Sequence, residues 1–387
     1  MKKLEDYEWI CPEPFTNLYT APPGHYVPCC AIDYTELFKN YGDEILNTNE
    51  YSINDYFKSN FLKKMQKAMK ENDKNFLKDI CKNCIKSEEM NNRSHRQWYL
   101  QRFIKNEFKH KKKELERIIH NESYPTFLHS VEATSVGGNI CNLACNMCGS
   151  GNSSKFNSEE IKLGETNVMQ PQPVNYKEFY DDLYKFNVLE FKFTGGEPLL
   201  TKKNYEIMSK QSKDTMIRVI TNGTVDPSNL IKVLKDFNKV VINVSAEGPK
   251  DVTNYIRHGS DFDIVLKHYD MMQNVWGDNV MFTATINALN IARVSELLRL
   301  RKGHAGSLVT NNFYSLNSIP DDIKETYLQK LYEEGEYDLI KYLENAEYNE
   351  TDMWIMLRHI KRRDRLRGTN LLKVFPEWKE YYETCNG

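Results

Sequence analysis

Cys141-Asn142-Leu143-Ala144-Cys145-Asn146-Met147-Cys148 is the stretch whose reading governs the rest of the chain. Its spacing is C-x3-C-x2-C, and its three thiolates can converge on one metal centre. The plain alternative is cysteines packed as small hydrophobes. That suits one buried thiol, not three flanked by Asn and Gly. Structural zinc ordinarily takes four protein ligands, often as two C-x2-C pairs. Here the local set stops at three, which leaves a coordination position open, as a catalytic centre requires.

Downstream lies Phe191-Lys192-Phe193-Thr194-Gly195-Gly196-Glu197-Pro198. A β-rich run from 188 to 194 ends in two glycines, an acid and a proline. Such a strand is expected to be buried, and the glycines let backbone approach a ligand closely. An acid placed there can accept hydrogen bonds from an ammonium group. The bland reading is an ordinary strand-to-helix turn.

Together the two motifs resemble the radical S-adenosylmethionine (SAM) superfamily. The resemblance implies that Cys141, Cys145 and Cys148 hold three irons of a 4Fe–4S cluster, with SAM chelating the fourth. It implies that Gly195, Gly196 and Glu197 hold the amino-acid end of SAM. The residue before the third cysteine is usually aromatic and lies near the adenine; here it is Met147. The implied reaction is reductive cleavage of SAM to a 5′-deoxyadenosyl radical that abstracts a substrate hydrogen. An external flavodoxin- or ferredoxin-like protein would supply the electron.

Around these motifs the chain alternates strand and helix patterns, which predicts an α/β fold with a parallel sheet. Strands are expected over 128–135, 188–194, 216–221, 240–245, 280–286 and 308–314. Leu230, Ile231, Leu234 and Phe237 share a helix face, as do Val294, Leu297, Leu298 and the stem of Arg301. Six strand–helix units make a partial (β/α)6 TIM-like barrel, the core fold that the resemblance also implies. Parallel barrels carry their sites at the C-terminal ends of the strands. Asn222, Ser245, Glu247 and Asn287 stand there, placed to contact ribose hydroxyls or a methionyl carboxylate. Arg257 is a partner for a carboxylate. The alternative for each is a turn or capping residue.

Four more cysteines precede the barrel, as Cys11, Cys29 and the C-x2-C pair Cys81 and Cys84. Gly24 makes the first part C-x12-G-x4-C, and Cys30 is left over. Four protein thiolates complete a centre with no open position. The order is similar to SPASM and twitch domains, which implies a second, auxiliary 4Fe–4S cluster. Met90 stands where a further cysteine would be needed, so the shorter twitch type fits better. Those domains normally follow the barrel, whereas this one precedes it. Structural zinc on the same four thiolates is the physical alternative.

The expected layout is a cysteine-rich domain over 1–95, a helical connector over 96–126, the barrel over 127–318 and a helical region over 319–387. The connector carries a basic helical run from 97 to about 119, read as a solvated face. Helices are expected over 321–337 and 348–368, the second capped by Thr351 or Asp352. That helix holds Arg358, Arg362, Arg363, Arg365 and Arg367, suited to phosphate or carboxylate, or else paired with acids such as Glu347 and Glu350.

Composition narrows the class. The 387 residues carry 52 basic and 54 acidic side chains, a net charge of −2, which speaks against wholesale polyanion binding. Mean hydropathy is −0.65, with no apolar run long enough for a membrane span. The first residues, Met1-Lys2-Lys3-Leu4-Glu5-Asp6, do not read as a signal peptide, so a reducing, cytoplasmic setting is expected. Family analogy makes a peptide or protein the leading substrate class. RNA or a small molecule stays open, and so does a zinc-stabilised nucleic-acid-binding protein or a SAM binder without chemistry. No final hydrogen donor can be named beyond Tyr314 as a candidate, and Cys30 and Cys385 stay unassigned.

Overall fold

The computed structural model describes residues 1–21, 24–89, 93–133, 138–165, 176–309 and 313–385. Eight strands form one sheet: β1 (Asn17–Ala21), β2 (His25–Val27), β3 (Ser130–Ala133), β4 (Glu190–Phe193), β5 (Met216–Thr221), β6 (Val240–Ser245), β7 (Val280–Ile286) and β8 (Gly303–Leu308). Their order is β8-β7-β6-β5-β4-β3-β1-β2. From β3 to β8 every neighbour is parallel and consecutive. Winding always in one direction puts the crossover helices on one face and curls the sheet, giving the six-stranded partial barrel.

The strand patterns explain which face is which. Ile217 and Val219 of β5, Ile242 and Val244 of β6, and Phe282 and Ala284 of β7 are buried in the main core. Leu230 and Leu234 of the helix Ser228–Leu234, and Val265 and Tyr269 of the helix Phe262–Trp276, belong to the same core. The alternate residues, among them Glu190, Lys192, Arg218, Asn243 and Thr283, point to the other, inner face. The N-terminal layer of that inner face is closed by a second core. There Met216 and Val241 pack with Phe15, Ile80, Phe103, Phe108 and Leu115 from the first 120 residues.

Several boundaries differ from those the sequence suggests. The expected first strand is broken, because Phe127–Leu128 pairs separately with Asn187–Val188 and β3 begins only at Ser130. Pro22, Pro23, Met90, Asn91, Asn92, Ser135 and Gly137 lie outside the described residues, as do 310–312 of the expected sixth strand. The last strand is Gly303–Leu308 rather than 308–314, where Gly303 and Gly306 hide the apolar period. Gly306 is a close approach, since a Cβ there would meet Thr283 Cγ2 at 2.6 Å. The N-terminal region also contributes to the barrel sheet, with β1 lying parallel to β3 through Tyr19 and Glu132.

The basic connector is two helices, α1 (His95–Ile104) and the helix Lys112–Asn121, and Arg102 of α1 is buried rather than solvated. A short helix, α2 (Ser154–Lys162), follows the cysteine motif. Beyond the barrel lie helices Asp321–Glu334 and Tyr337–Glu344 and the long α3 (Glu350–Arg367). α3 is capped by Asn349, whose side chain accepts from Asp352 N–H, and not by Thr351 or Asp352. No described helix is long and apolar enough to cross a membrane.

Candidate functional site

The cysteine loop sits above the C-terminal strand ends, and three separate contacts hold it there. Ala144 and Cys145 form a two-residue antiparallel ladder with His258 and Arg257. Ser153 and Ser154 open α2 and turn back on the loop: Ser153 Oγ donates to Leu143 O at 2.6 Å, and Cys141 N–H donates to Ser154 Oγ at 3.1 Å. The third contact comes from α3. Arg367 pairs with Glu159 at 2.6 Å and donates to Ala144 O at 2.6 Å.

The three thiols are partly buried and lie close enough for Cys145 to sense the charge of both others. Burial pushes Cys145 up to about 12 and Cys148 up to about 11. Arg257 opposes that at Cys145, its Nη1 lying 3.8 Å from Cys145 Sγ. Leu143 N–H donates to Cys141 Sγ at 3.5 Å, and Asn222 Nδ2 lies 4.0 Å from the same sulfur. These are donors of the kind that orient and tune thiolate ligands.

The Gly-Gly-Glu turn is seated directly against this loop. Gly195 and Gly196 have φ of 79° and 52°, in the left-handed region. A Cβ on Gly196 would fall 2.3 Å from Ile140 O, so only glycine admits the contact. Glu197 N–H donates to Ile140 O at 2.7 Å. The Glu197 carboxylate is buried and accepts from Thr221 Oγ1 at 2.7 Å, Asn222 N–H at 2.7 Å and Leu199 N–H at 3.1 Å. Burial raises its pKa and those three donors oppose the rise. Glu197 thus ties the turn to the end of β5.

Residues 135–301, which carry both motifs, match the Radical SAM superfamily. That segment is a radical SAM domain. No curated protein matches the chain. Among solved structures, histidine-tagged anSMEcpe with bound AdoMet is 19% identical with a TM-score of 0.36, over 61% of this chain and 63% of that one. SuiB of Streptococcus suis bound to precursor peptide SuiA is 13% identical with a TM-score of 0.32, over 86% of this chain and 71% of that one. The chain thus spans just under two thirds of the anSMEcpe chain.

Within the radical SAM domain most of the other expected residues are bonded to one another or to the cysteine loop. Glu247 is wholly buried and pairs with Arg257 Nη2 at 2.7 Å, while its second oxygen accepts from Thr285 N–H at 2.9 Å and Asn290 Nδ2 at 3.2 Å. Burial raises the Glu247 pKa, and Arg257 opposes that rise. Asn287 Nδ2 lies 3.3 Å from the Met147 sulfur, so Met147 meets the end of β7. Asn222 bonds Asn142 at 3.0 Å. Ser245 ends β6 half-buried. Two residues of this network, and the docking of Arg367 on the cysteine loop, escape sequence reading. Asn142 and Asn290 resemble ordinary loop asparagines, and Arg367 lies 222 positions from Cys145, with helix α3 as its only signal.

The arginines of α3 meet a different set of acids from the expected Glu347 and Glu350. Arg362 pairs with Glu165 at 2.8 Å, Arg363 with Glu160, and Arg367 with Glu159. Arg363 and Arg367 are buried in these pairs, which removes them from any nucleic-acid face. Tyr314 is not a strand end; it is buried, with its Oη 2.9 Å from His359 Nδ1.

Cys11, Cys29, Cys81 and Cys84 line one cavity, together with Trp9, His95 and Arg96. Burial raises all four thiols, and Cys11 also feels the charge of Cys84 and Cys81. Among the described residues no three His, Cys, Asp or Glu side chains are drawn in closely enough to hold a single metal ion. Glu13 lies beside the cavity. Burial would raise its pKa, but His129 at 2.8 Å and His95 at 3.8 Å hold it at about 2. Cys30 is exposed, 3.6 Å from His95 Nε2. Cys385 is buried under α3.

Proposed function

We propose that this chain is a SAM-dependent radical enzyme whose substrate is a peptide or protein. One observation carries the reading: the loop that bears Cys141, Cys145 and Cys148 is seated against a glycine-only turn at the strand ends. The donor set fits a cluster with one open iron, because it offers three soft ligands with Arg257, Asn222 and Leu143 N–H arranged behind them. When bound, a reduced 4Fe–4S cluster with SAM supplies one-electron cleavage to a 5′-deoxyadenosyl radical.

The chain's own residues do the holding. Gly195 and Gly196 expose backbone to the methionyl end of SAM, while Glu197 keeps that backbone in place through Thr221 and Asn222. Arg257, fixed by Glu247, places a positive charge beside Cys145. Met147 and Asn287 offer an apolar surface and an amide for the adenine end. The buried Arg363 and Arg367 pairs brace the loop and keep water from that side.

The N-terminal cavity is read as an auxiliary cluster site on Cys11, Cys29, Cys81 and Cys84, in a cytoplasmic setting with an external low-potential donor. Thiols that line a cavity suit a cubane, whereas zinc draws sulfurs to about 2.3 Å from one point. Metal analysis separates the two: the reading expects iron and sulfide in the Cys141→Ala variant, and stoichiometric zinc with no iron there would overturn the auxiliary cluster. Electron paramagnetic resonance tests the main reading. SAM is expected to change the signal of the reduced wild type and to leave the Cys141→Ala signal unaltered.

A further inference from the structure

The inner face of a parallel sheet is ordinarily apolar, because both faces are covered. Here it carries charge. Register places Tyr19, Glu132, Lys192 and Arg218 side by side across β1, β3, β4 and β5. Glu190, one pleat below Lys192, is fully buried and bonded on both sides, to Arg102 at 2.6 Å and to Arg218 Nε at 2.8 Å. Lys192 faces Glu132 at 3.6 Å.

The charges do not balance. Arg102, Lys192 and Arg218 share the buried carboxylate of Glu190 and the partly buried one of Glu132. The remaining neighbour, Glu107, is one-third exposed and divided between Arg102 at 3.4 Å and Lys239 at 3.8 Å. Arg218 is the cation that keeps capacity. Glu190 fixes its Nε, but among the described residues its terminal nitrogens reach only Asn243 Oδ1 at 3.4 Å and the Met216 sulfur at 4.0 Å. Asn243 is itself held, because its Nδ2 donates to Thr283 at 2.8 Å. The Arg218 side chain is 17% exposed and faces the inner side, below the exposed Ile220.

We propose that Arg218 binds a carboxylate of a peptide substrate, from a side chain or the C-terminus, on the inner face of the barrel. A guanidinium pre-oriented through Nε presents its fork to a carboxylate, giving two charge-assisted hydrogen bonds. Arg218 lies three residues below Thr221, the anchor of Glu197, or about 10 Å at the usual strand rise. A peptide held by its carboxylate at Arg218 therefore offers carbons between that anchor and the Gly-Gly-Glu turn. The substrate class rests on the proposed radical chemistry, whereas the binding test below does not require turnover.

The test uses the reconstituted full chain with three blocked tripeptides in calorimetric titrations. Acetyl-Gly-Glu-Gly-amide carries a side-chain carboxylate, acetyl-Gly-Gly-Gly acid a terminal one, and acetyl-Gly-Gln-Gly-amide none. At least one acid peptide is expected to bind about tenfold more tightly than the Gln peptide. The tighter of the two acids identifies which carboxylate is read. The Arg218→Gln variant is expected to lose the preference. Because it leaves Glu190 short of a partner, Arg218→Lys is measured beside it; that change keeps the charge, removes the fork and is expected to cut the preference severalfold. Equal binding of all three peptides, no binding by any, or a preference that survives both variants would overturn the proposal. Carboxylate binding without SAM cleavage would leave it standing and remove only the radical reading.

Discussion

Arg367 Nη2 donates to the backbone carbonyl of Ala144 at 2.6 Å, one residue before Cys145. The last turn of α3 therefore braces the loop that carries three cysteines, and Glu159 of α2 locks the brace with a second short contact.

Removing that brace is expected to damage the site and the fold together. Arg367→Ala leaves Glu159, 10% exposed, with Arg363 Nε at 4.0 Å as its remaining cation, so the loss is expected to fall at or below the about 3–5 kcal/mol of a broken buried pair. Denaturant titration is expected to show a loss of that order, with less iron held after reconstitution. Unchanged stability and iron content would mean that the contact does not support the loop.

The Gly-Gly-Glu turn gives a sharper backbone test. Gly196→Ala places a Cβ 2.3 Å from Ile140 O at a φ of 52°, so backbone must shift. A loss of about 2–4 kcal/mol is expected from the combined strain and clash. Gly42→Ala is the control, with open space around it and a helical φ of −52°, and is expected to change stability by less than about 1 kcal/mol. Thermal melts of the two variants decide the matter.

The two cysteine sets are expected to separate in metal content. Two cubanes give roughly eight iron per chain, and either set alone roughly four. Cys84→Ala is expected to keep the four associated with Cys141, Cys145 and Cys148 and to retain some SAM cleavage. Cys145→Ala is expected to keep the N-terminal four and lose cleavage. Iron and sulfide assays on both variants check this.

Acid sensitivity follows from His359. Burial, then the charges of Arg363, Arg367 and Arg362, lower its pKa to about 3. The folded ring stays neutral, whereas the unfolded ring takes a proton below about 6.5. Stability from this group is thus full above that value and declines as pH falls towards 3. The loss from His359 alone amounts to about 2 kcal/mol by pH 5. Melting curves from pH 7 to 5 are expected to fall less steeply in His359→Gln, and identical slopes would contradict the assignment.

Much of this architecture was legible in the chain. β5, β6 and β7 match the expected 216–221, 240–245 and 280–286, because each is an apolar run ending in a polar turn. The final strand was not legible, since His304-Ala305-Gly306-Ser307 has little β character and is held by pairing with β7. Nor was the contribution of β1, whose place beside β3 depends on pairing across more than a hundred residues. Local spacing identified the cysteine motif and the Gly-Gly-Glu turn. It was silent on the docking of Arg367 at Ala144 and Glu159, on Asn290 and on the Arg102–Glu190–Arg218 chain, which are contacts between distant segments.

The central claim is tested most directly by anaerobic reduction of the fully reconstituted protein with SAM, followed by chromatography of the nucleoside products. The account predicts 5′-deoxyadenosine and methionine in equal amounts from the wild type and neither from Cys145→Ala. Intact SAM after incubation with wild-type protein whose reduced cluster is confirmed by spectroscopy would contradict it.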